Sequence, residues 1–175
     1  NWLVVGANYA NKAFIFKNEQ GTFGPMPSFV LDNNVNDGQF GYDVAITGNW
    51  ALVGAYEANK AFLFKNNNGV WDTTATFTLD GGTETNGRFG YSVALTDNFA
   101  ICGDHEAKKA FIYKNTGGIW NPVAVHTLSH VGGQSYFAHL VALTDTYALV
   151  TFWGGADSKA FIYKNNGIAW ETTPS

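Results

Sequence analysis

Apolar residues fall along this chain in short bursts, not in helical stripes. The burst "KAFIFKN" at Lys12 returns as "KAFLFKN" at Lys60 and as "KAFIYKN" at Lys109 and Lys159. "NWLVVGA" at Asn1 returns as "NWALVGA" at Asn49, "NFAICGD" at Asn98 and "TYALVTF" at Thr146. "FGYDVAIT" at Phe40 returns as "FGYSVALT" at Phe89 and "FAHLVALT" at Phe137. A bulky aromatic (Phe23, Trp71, Trp120 or Trp170) follows each second lysine by six residues. The period is 48 to 50 residues along the whole length, and self-similarity at a fixed period marks a repeat architecture. There is no 3.6-residue periodicity and no capped apolar helix face.

Each full unit reads as four short strands. In the second unit the pattern predicts them over 40–47, 50–55, 60–65 and about 74–79. The pairs Gly48-Asn49 and Asp97-Asn98 are two-residue hairpin turns, and the loops "YEAN" and "NNNG" are rich in turn formers. The runs "VALTDNFAIC" and "KAFIY" are apolar at both parities, so both faces of those strands must be covered. Four-stranded sheets stacked face to face around an axis meet that demand, and the period is that of propeller blades. The expectation is an all-β, β-propeller-type array of four-stranded antiparallel blades with a period of about 48 residues. It forms one repeat domain with units 1–39, 40–88, 89–136 and 137–175, the first and last incomplete.

Composition narrows the function classes. The 175 residues are 46% hydrophobic and 16% aromatic, which excludes a disordered chain. Net charge is −4, and eight of the ten Lys and Arg are the paired lysines of the repeated strands. They are spread by the repeat, so no basic patch for nucleic acid forms. Each of these lysines sits at a strand end, where its stem can lie on apolar surface with the ammonium in water. The single cysteine, Cys102, reads as a small buried residue. No run approaches the roughly 18 apolar residues of a membrane span. No signal peptide opens the chain and no Asn-x-Ser/Thr sequon is present.

"FGYSVALT", a short turn, "NWALVGA", an aromatic strand and then a Trp together resemble the FG-GAP repeat in its bacterial-type form. The resemblance covers essentially the whole chain, in three clear units and one weaker one. It implies a β-propeller, often of seven blades, like the head of integrin α chains. It also implies an extracellular or cell-surface setting, with adhesion or carbohydrate recognition as frequent roles. Two features depart from the pattern. The first connection, "TGNW", "TDNF" or "TDTY", is too short to wrap a calcium ion, which takes 6–8 oxygens. In the fourth unit Phe137-Ala138 replaces "FG" and Val150-Thr151-Phe152 replaces "VGA".

Candidate chemistry is sparse. Loops between units offer Asp32, Asn34, Asn36 and Asp37, then Asp80, Glu84 and Asn86, as oxygen-rich patterns that suit either a calcium ion or a plain Asx-rich turn. The histidines His105, His126, His130 and His139 lack zinc-site spacing, and no nucleophile elbow, P-loop or dinucleotide fingerprint occurs. Asp104, Glu106 and Glu57 lie on corresponding loops of successive units. The loops after the second strand vary while their flanks repeat, and variable loops on a rigid scaffold are where binding concentrates. Their candidate ligand-binding residues are Tyr9, Tyr56, Glu57, His105, Glu106, Trp153 and Asp157. Aromatic faces and acids of this kind suit sugars.

About 14 strands, not a multiple of four, leave apolar faces and edges uncovered. Three explanations stand open: a segment of a longer propeller, a four-bladed ring missing parts, or an incomplete blade completed by the next copy. The function expected is a non-enzymatic, extracellular or surface-bound scaffold or adhesion protein, acting through protein partners or self-association into a filament. A lectin-like carbohydrate-binding propeller is the alternative, and a glycan-active enzyme a third.

Overall fold

The computed structural model describes residues 1–33, 38–81, 87–129 and 136–174. It is all-β, with four antiparallel sheets that follow one another along the chain. Sheet 1 contains β1 (Trp2–Ala7), β2 (Lys12–Glu19), β3 (Thr22–Phe23) and β4 (Phe29–Leu31). Sheet 2 contains β5 (Val44–Ile46), β6 (Trp50–Ala55), β7 (Lys60–Asn67), β8 (Val70–Trp71) and β9 (Phe77–Asp80). Sheet 3 repeats it with β10 (Ser92–Leu95), β11 (Phe99–Asp104), β12 (Lys109–Thr116), β13 (Ile119–Trp120) and β14 (His126–Ser129). Sheet 4 contains β15 (Phe137–Leu143), β16 (Tyr147–Phe152) and β17 (Lys159–Lys164). Among the described residues no helix is long and apolar enough to cross a membrane.

The observed strands differ from the sequence pattern in instructive ways. The strand expected over 40–47 is reduced to β5, because Gly41 takes φ 89 and turns the chain inward, its N–H donating to the Gly54 carbonyl at 3.0 Å. The KAFxFKN strands run beyond their second lysine, turn at Asn68 (φ 54) and Gly69 (φ 97), and return as β8. The "NNNG" loop is therefore the tip of a small hairpin. Its function is positional: it holds Trp71, and by repetition Trp120, against the preceding sheet.

Three apolar clusters join the sheets in chain order. One packs Ala13, Ile15 and Leu31 of sheet 1 on Ala51, Val53, Phe62, Phe64 and Trp71 of sheet 2. The next packs Leu52, Leu63 and Leu79 on Cys102, Phe111, Tyr113 and Trp120 of sheet 3. The last packs Ile101, Ile112 and Leu128 on Val150, Phe152 and Tyr163 of sheet 4. The paired aromatics of the KAFxF strands in sheets 2, 3 and 4 thus face the preceding sheet. None of the three clusters joins sheet 1 to sheet 4. Accordingly β6 is buried along its whole length, whereas β1 alternates between half-buried and exposed positions over Trp2–Val5 and β16, exposed at Tyr147, alternates between buried and half-buried ones. Coverage of both faces, expected for every strand, holds only where a sheet has two neighbours.

Polar contacts fix the register between sheets. The Thr47 hydroxyl and the Asn49 amide donate to the Asp97 carboxylate at 2.6 and 3.1 Å. One repeat later Thr96 and Asn98 donate to Asp145 at 2.5 and 2.7 Å. The Asp43 carboxylate accepts the Val93 N–H at 2.7 Å, and the Ser92 hydroxyl accepts that of Val141 at 3.2 Å. Gly6, Gly54 and Gly103 lie so close to the carbonyl oxygens of Gly41, Gly90 and Ala138 that a Cβ would overlap them. That close approach is the physical content of the "FG" and "VGA" motifs.

Candidate functional site

The variable loops leave the ends of β1, β6, β11 and β16. Three of them form single 3-10 turns, Asn8–Ala10, Tyr56–Ala58 and Gly155–Asp157. Asn11, Asn59 and Lys108 close the first three loops in the left-handed region at φ 51, 54 and 57. Each loop begins with a residue aimed at the same edge of the stack: Asn8, Tyr56, His105 and Trp153. The residue after each "FG" or "FA" pair (Tyr42, Tyr91 or His139) reaches the same edge from the neighbouring strand.

These positions make a continuous strip of rings. Tyr42 meets Tyr56 at 4.6 Å, Tyr91 meets His105 at 4.3 Å, and His139 meets Trp153 at 5.6 Å, one pair per sheet. The pairs touch across sheets as well, Tyr42 to Tyr91 at 4.8 Å and Tyr91 to His139 at 5.2 Å. The residue before each "FG" or "FA" pair closes over the preceding loop. Gln39 accepts a hydrogen bond from Asn8 at 2.6 Å, the Arg88 guanidinium lies 5.0 Å over Tyr56, and Tyr136 meets His105 at 5.4 Å. Tyr136 also meets Trp153 at 5.4 Å, and Trp153 is 55% exposed.

Of the residues expected from the sequence, Tyr56, His105 and Trp153 lie in this strip. Glu57 and Glu106 flank it, Glu57 accepting from the Tyr56 hydroxyl at 3.3 Å and Glu106 standing 3.6 Å from His105 Nε2. Tyr9 is 93% exposed and stands outside the strip, because the residue homologous to Tyr56 in its loop is Asn8. Asp157 lies at the exposed end of its 3-10 turn, also outside the strip. Sequence reasoning missed Tyr42, Arg88, Tyr91, Tyr136 and His139. The signal was present in the aromatic third position of "FGY", "FGY" and "FAH", which reads as core until the close approach of the glycines turns it outward.

Burial shapes the chemistry of the strip. His105 is 6% exposed, and burial holds its pKa below the ordinary histidine value, with Glu106 partly opposing. Its Nδ1 is buried with no hydrogen-bond partner. Asp104 is fully buried; its Oδ1 accepts the N–H groups of Arg88 and Ala107 at 2.8 and 2.9 Å, and its Oδ2 has no partner. The Tyr42 hydroxyl is pushed well up by burial and by Tyr91, and the Tyr56 hydroxyl by burial and Glu57 against the pull of Arg88.

Among the described residues no three His, Cys, Asp or Glu are placed to hold a metal ion. Asp32, the first of the calcium candidates, donates its backbone N–H to the Thr73 carbonyl at 3.2 Å, tying sheet 1 to sheet 2. Asn34, Asn36 and Asp37 lie outside the described residues, as do Glu84, Asn86 and His130. Cys102 is fully buried and its thiol is pushed far up by desolvation, as expected of a packing residue. No family model matches the chain, and no curated protein matches it.

Proposed function

We propose that this chain is a non-enzymatic, extracellular or surface-bound scaffold or adhesion protein. Its four sheets are successive blades of a propeller-type array of FG-GAP-like repeats, and it joins further repeat units through its two open sheet faces. One observation carries this reading. Leu3 and Val5 on sheet 1 and Ile162 on sheet 4 are 42%, 43% and 46% exposed, while Ala51, Val53 and Leu63 at the same repeat positions are fully buried between sheets. Contiguous apolar sheet faces of this kind mark association surfaces. The test is electron microscopy of the protein at its native source, with surface labelling and the intact polypeptide mass. Surface-located discs or filaments support the reading; a dispersed intracellular protein sinks it.

A second reading has its own observation. Trp153 presents an open ring beside Tyr136, and Glu106 flanks the strip beside His105, which suits stacking of a pyranose face. Glycan binding by the wild type that Trp153→Ala abolishes would favour a lectin. Turnover of a glycan that Glu106→Gln abolishes would overturn the non-enzymatic reading.

A further inference from the structure

The junctions between consecutive sheets share three ring positions. One is the first residue of β1, β6 or β11, one the first residue of β4, β9 or β14, and one the hairpin aromatic of the next sheet. In the first junction they hold Trp2, Phe29 and Trp71, with Trp2 6.0 Å from Phe29 and 5.8 Å from Trp71. In the second they hold Trp50, Phe77 and Trp120, with Trp50 5.8 Å from each of the others. The third has Phe99 and Trp170 at 5.5 Å, and His126 in the place of Phe29 and Phe77.

Two of its three rings are therefore smaller: a phenyl replaces an indole, and an imidazole replaces a phenyl. The hairpin differs too. Asn165 and Trp170 form a single bridge, where β7 with β8 and β12 with β13 pair two residues on each side. Side chains that no longer fill a close-packed contact leave a void. Here it is a cleft of about 260 Å³ between sheets 3 and 4, walled by Phe99, Val125, Ile168 and Trp170, with His126 and Lys114 also lining it.

The polar groups of the cleft are unequally served. His126 Nε2 is buried and has no hydrogen-bond partner. Trp170 is 5% exposed, and its Nε1 is in the same state. The indole nitrogens of Trp71 and Trp120 also lack partners, so the feature peculiar to this junction is the imidazole nitrogen beside a void. A buried polar atom without a partner is rare and costly, and one that lines a cleft is a place for a ligand atom. The N–H groups of Ile168 and Ala169 are already taken by the Asn166 side chain at 2.9 and 3.0 Å, so the turn does not supply further free donors. No acidic residue is among those lining the cleft, and Lys114 gives it a positive charge.

We propose that this cleft binds a small aromatic carboxylate. The carboxylate accepts from the Nε2–H tautomer of His126 and from Trp170 Nε1 and faces Lys114, and the ring takes the space that the larger rings of Trp50 and Phe77 fill one repeat earlier. At about 260 Å³ the cleft is below the roughly 300–1,000 Å³ of pockets for drug-sized ligands, which matches a single ring. The site shares no residue with the ring strip and does not depend on the scaffold reading.

The test is fluorine NMR of para-fluorobenzoate titrated with the wild-type chain, with para-fluorobenzamide as the neutral analogue of the same shape. The benzoate is expected to bind saturably and the benzamide at least about tenfold more weakly, because it lacks the charge that Lys114 and the two N–H groups recognise. His126→Phe restores the ring found at Phe29 and Phe77, and Phe99→Trp the ring found at Trp2 and Trp50. Each should keep or raise the urea midpoint, which shows that it folds, and lose at least about tenfold in benzoate affinity. Lys114→Met, at an exposed position, should lose about two- to fivefold. Trp153→Ala should leave benzoate binding unchanged. Equal affinity for benzoate and benzamide overturns the proposal, since the cleft would then be an apolar hole without anion recognition. Benzoate binding that survives both His126→Phe and Phe99→Trp places the ligand elsewhere and overturns it as well. So does the absence of saturable binding up to the solubility limit of the probe.

Discussion

Gly54 and Gly90 approach so closely that a Cβ on Gly54 would overlap the Gly90 carbonyl oxygen. The obstacle is backbone, which cannot swing aside like a side chain. Gly54→Ala must therefore push sheets 2 and 3 apart and is expected to lose roughly 3 kcal/mol of stability. Gly48, with open space around it, is the control, and its alanine variant should stay within about 0.5 kcal/mol of wild type. Urea unfolding of the two variants checks this; equal losses would mean that the glycine approach does not set the junction.

The hairpin aromatics separate burial from sequence similarity. Trp120 is 1% exposed against Trp50, and Trp120→Ala is expected to cost about 3–5 kcal/mol. Phe23, at the same repeat position, is 41% exposed, and under dilute conditions Phe23→Ala should cost less than about 1 kcal/mol. Denaturant midpoints distinguish the two, and similar losses would place Phe23 in a buried contact within the chain.

The turn contact between Asn98 and Asp145 crosses a junction at 2.7 Å, and Thr96 shares the same carboxylate. A double-mutant cycle with Asn98→Ala and Asp145→Ala should return a coupling of about 0.5–1.5 kcal/mol. Asp145→Ala alone should destabilise more than Asn98→Ala, because it removes an acceptor from two donors. Additive losses would show that the turn contact contributes nothing across the junction.

His105 ties stability to pH. Its folded-state pKa lies below the ordinary value near 6.5 because burial disfavours the charged ring. As pH falls, the unfolded chain takes up that proton first. The stability carried by the neutral ring is therefore complete above about pH 6.5 and is lost as pH drops from there toward the folded pKa. His105→Phe keeps a ring in the strip and removes the titration. Its urea midpoint should fall less between pH 7 and 5 than that of the wild type, and parallel curves would exonerate His105.

Cys102 provides a probe of opening. Its thiol is fully buried and far up-shifted, so it should resist alkylation in the native state. Labelling should proceed at the rate at which sheets 2 and 3 separate, rising in step with denaturant. Rapid labelling without denaturant would show that this junction opens on its own.

Much of the fold was legible in the sequence because its determinants are local. The repeat of KAFxFKN, the alternation-free apolar strands and the Gly-Asn and Asp-Asn turns specify antiparallel strands and a period without reference to any distant residue. They also placed Tyr56, His105 and Trp153 on equivalent loop heads. What the sequence left undecided depends on how one sheet meets the next. Tyr42 and Tyr91 are 49 positions apart in a run that reads as core, and only the approach of glycine backbone to carbonyl turns both rings onto one edge. The hairpin of β7 and β8 looked like a loop, because two paired residues make no periodic pattern. Exposure of Leu3 and Ile162 was equally invisible, since an apolar residue in a repeat reads the same whether or not a neighbouring sheet covers it. Local pattern determined the strands; contact between faces, which is a property of neighbours and not of spacing, decided where the rings and the open surfaces lie.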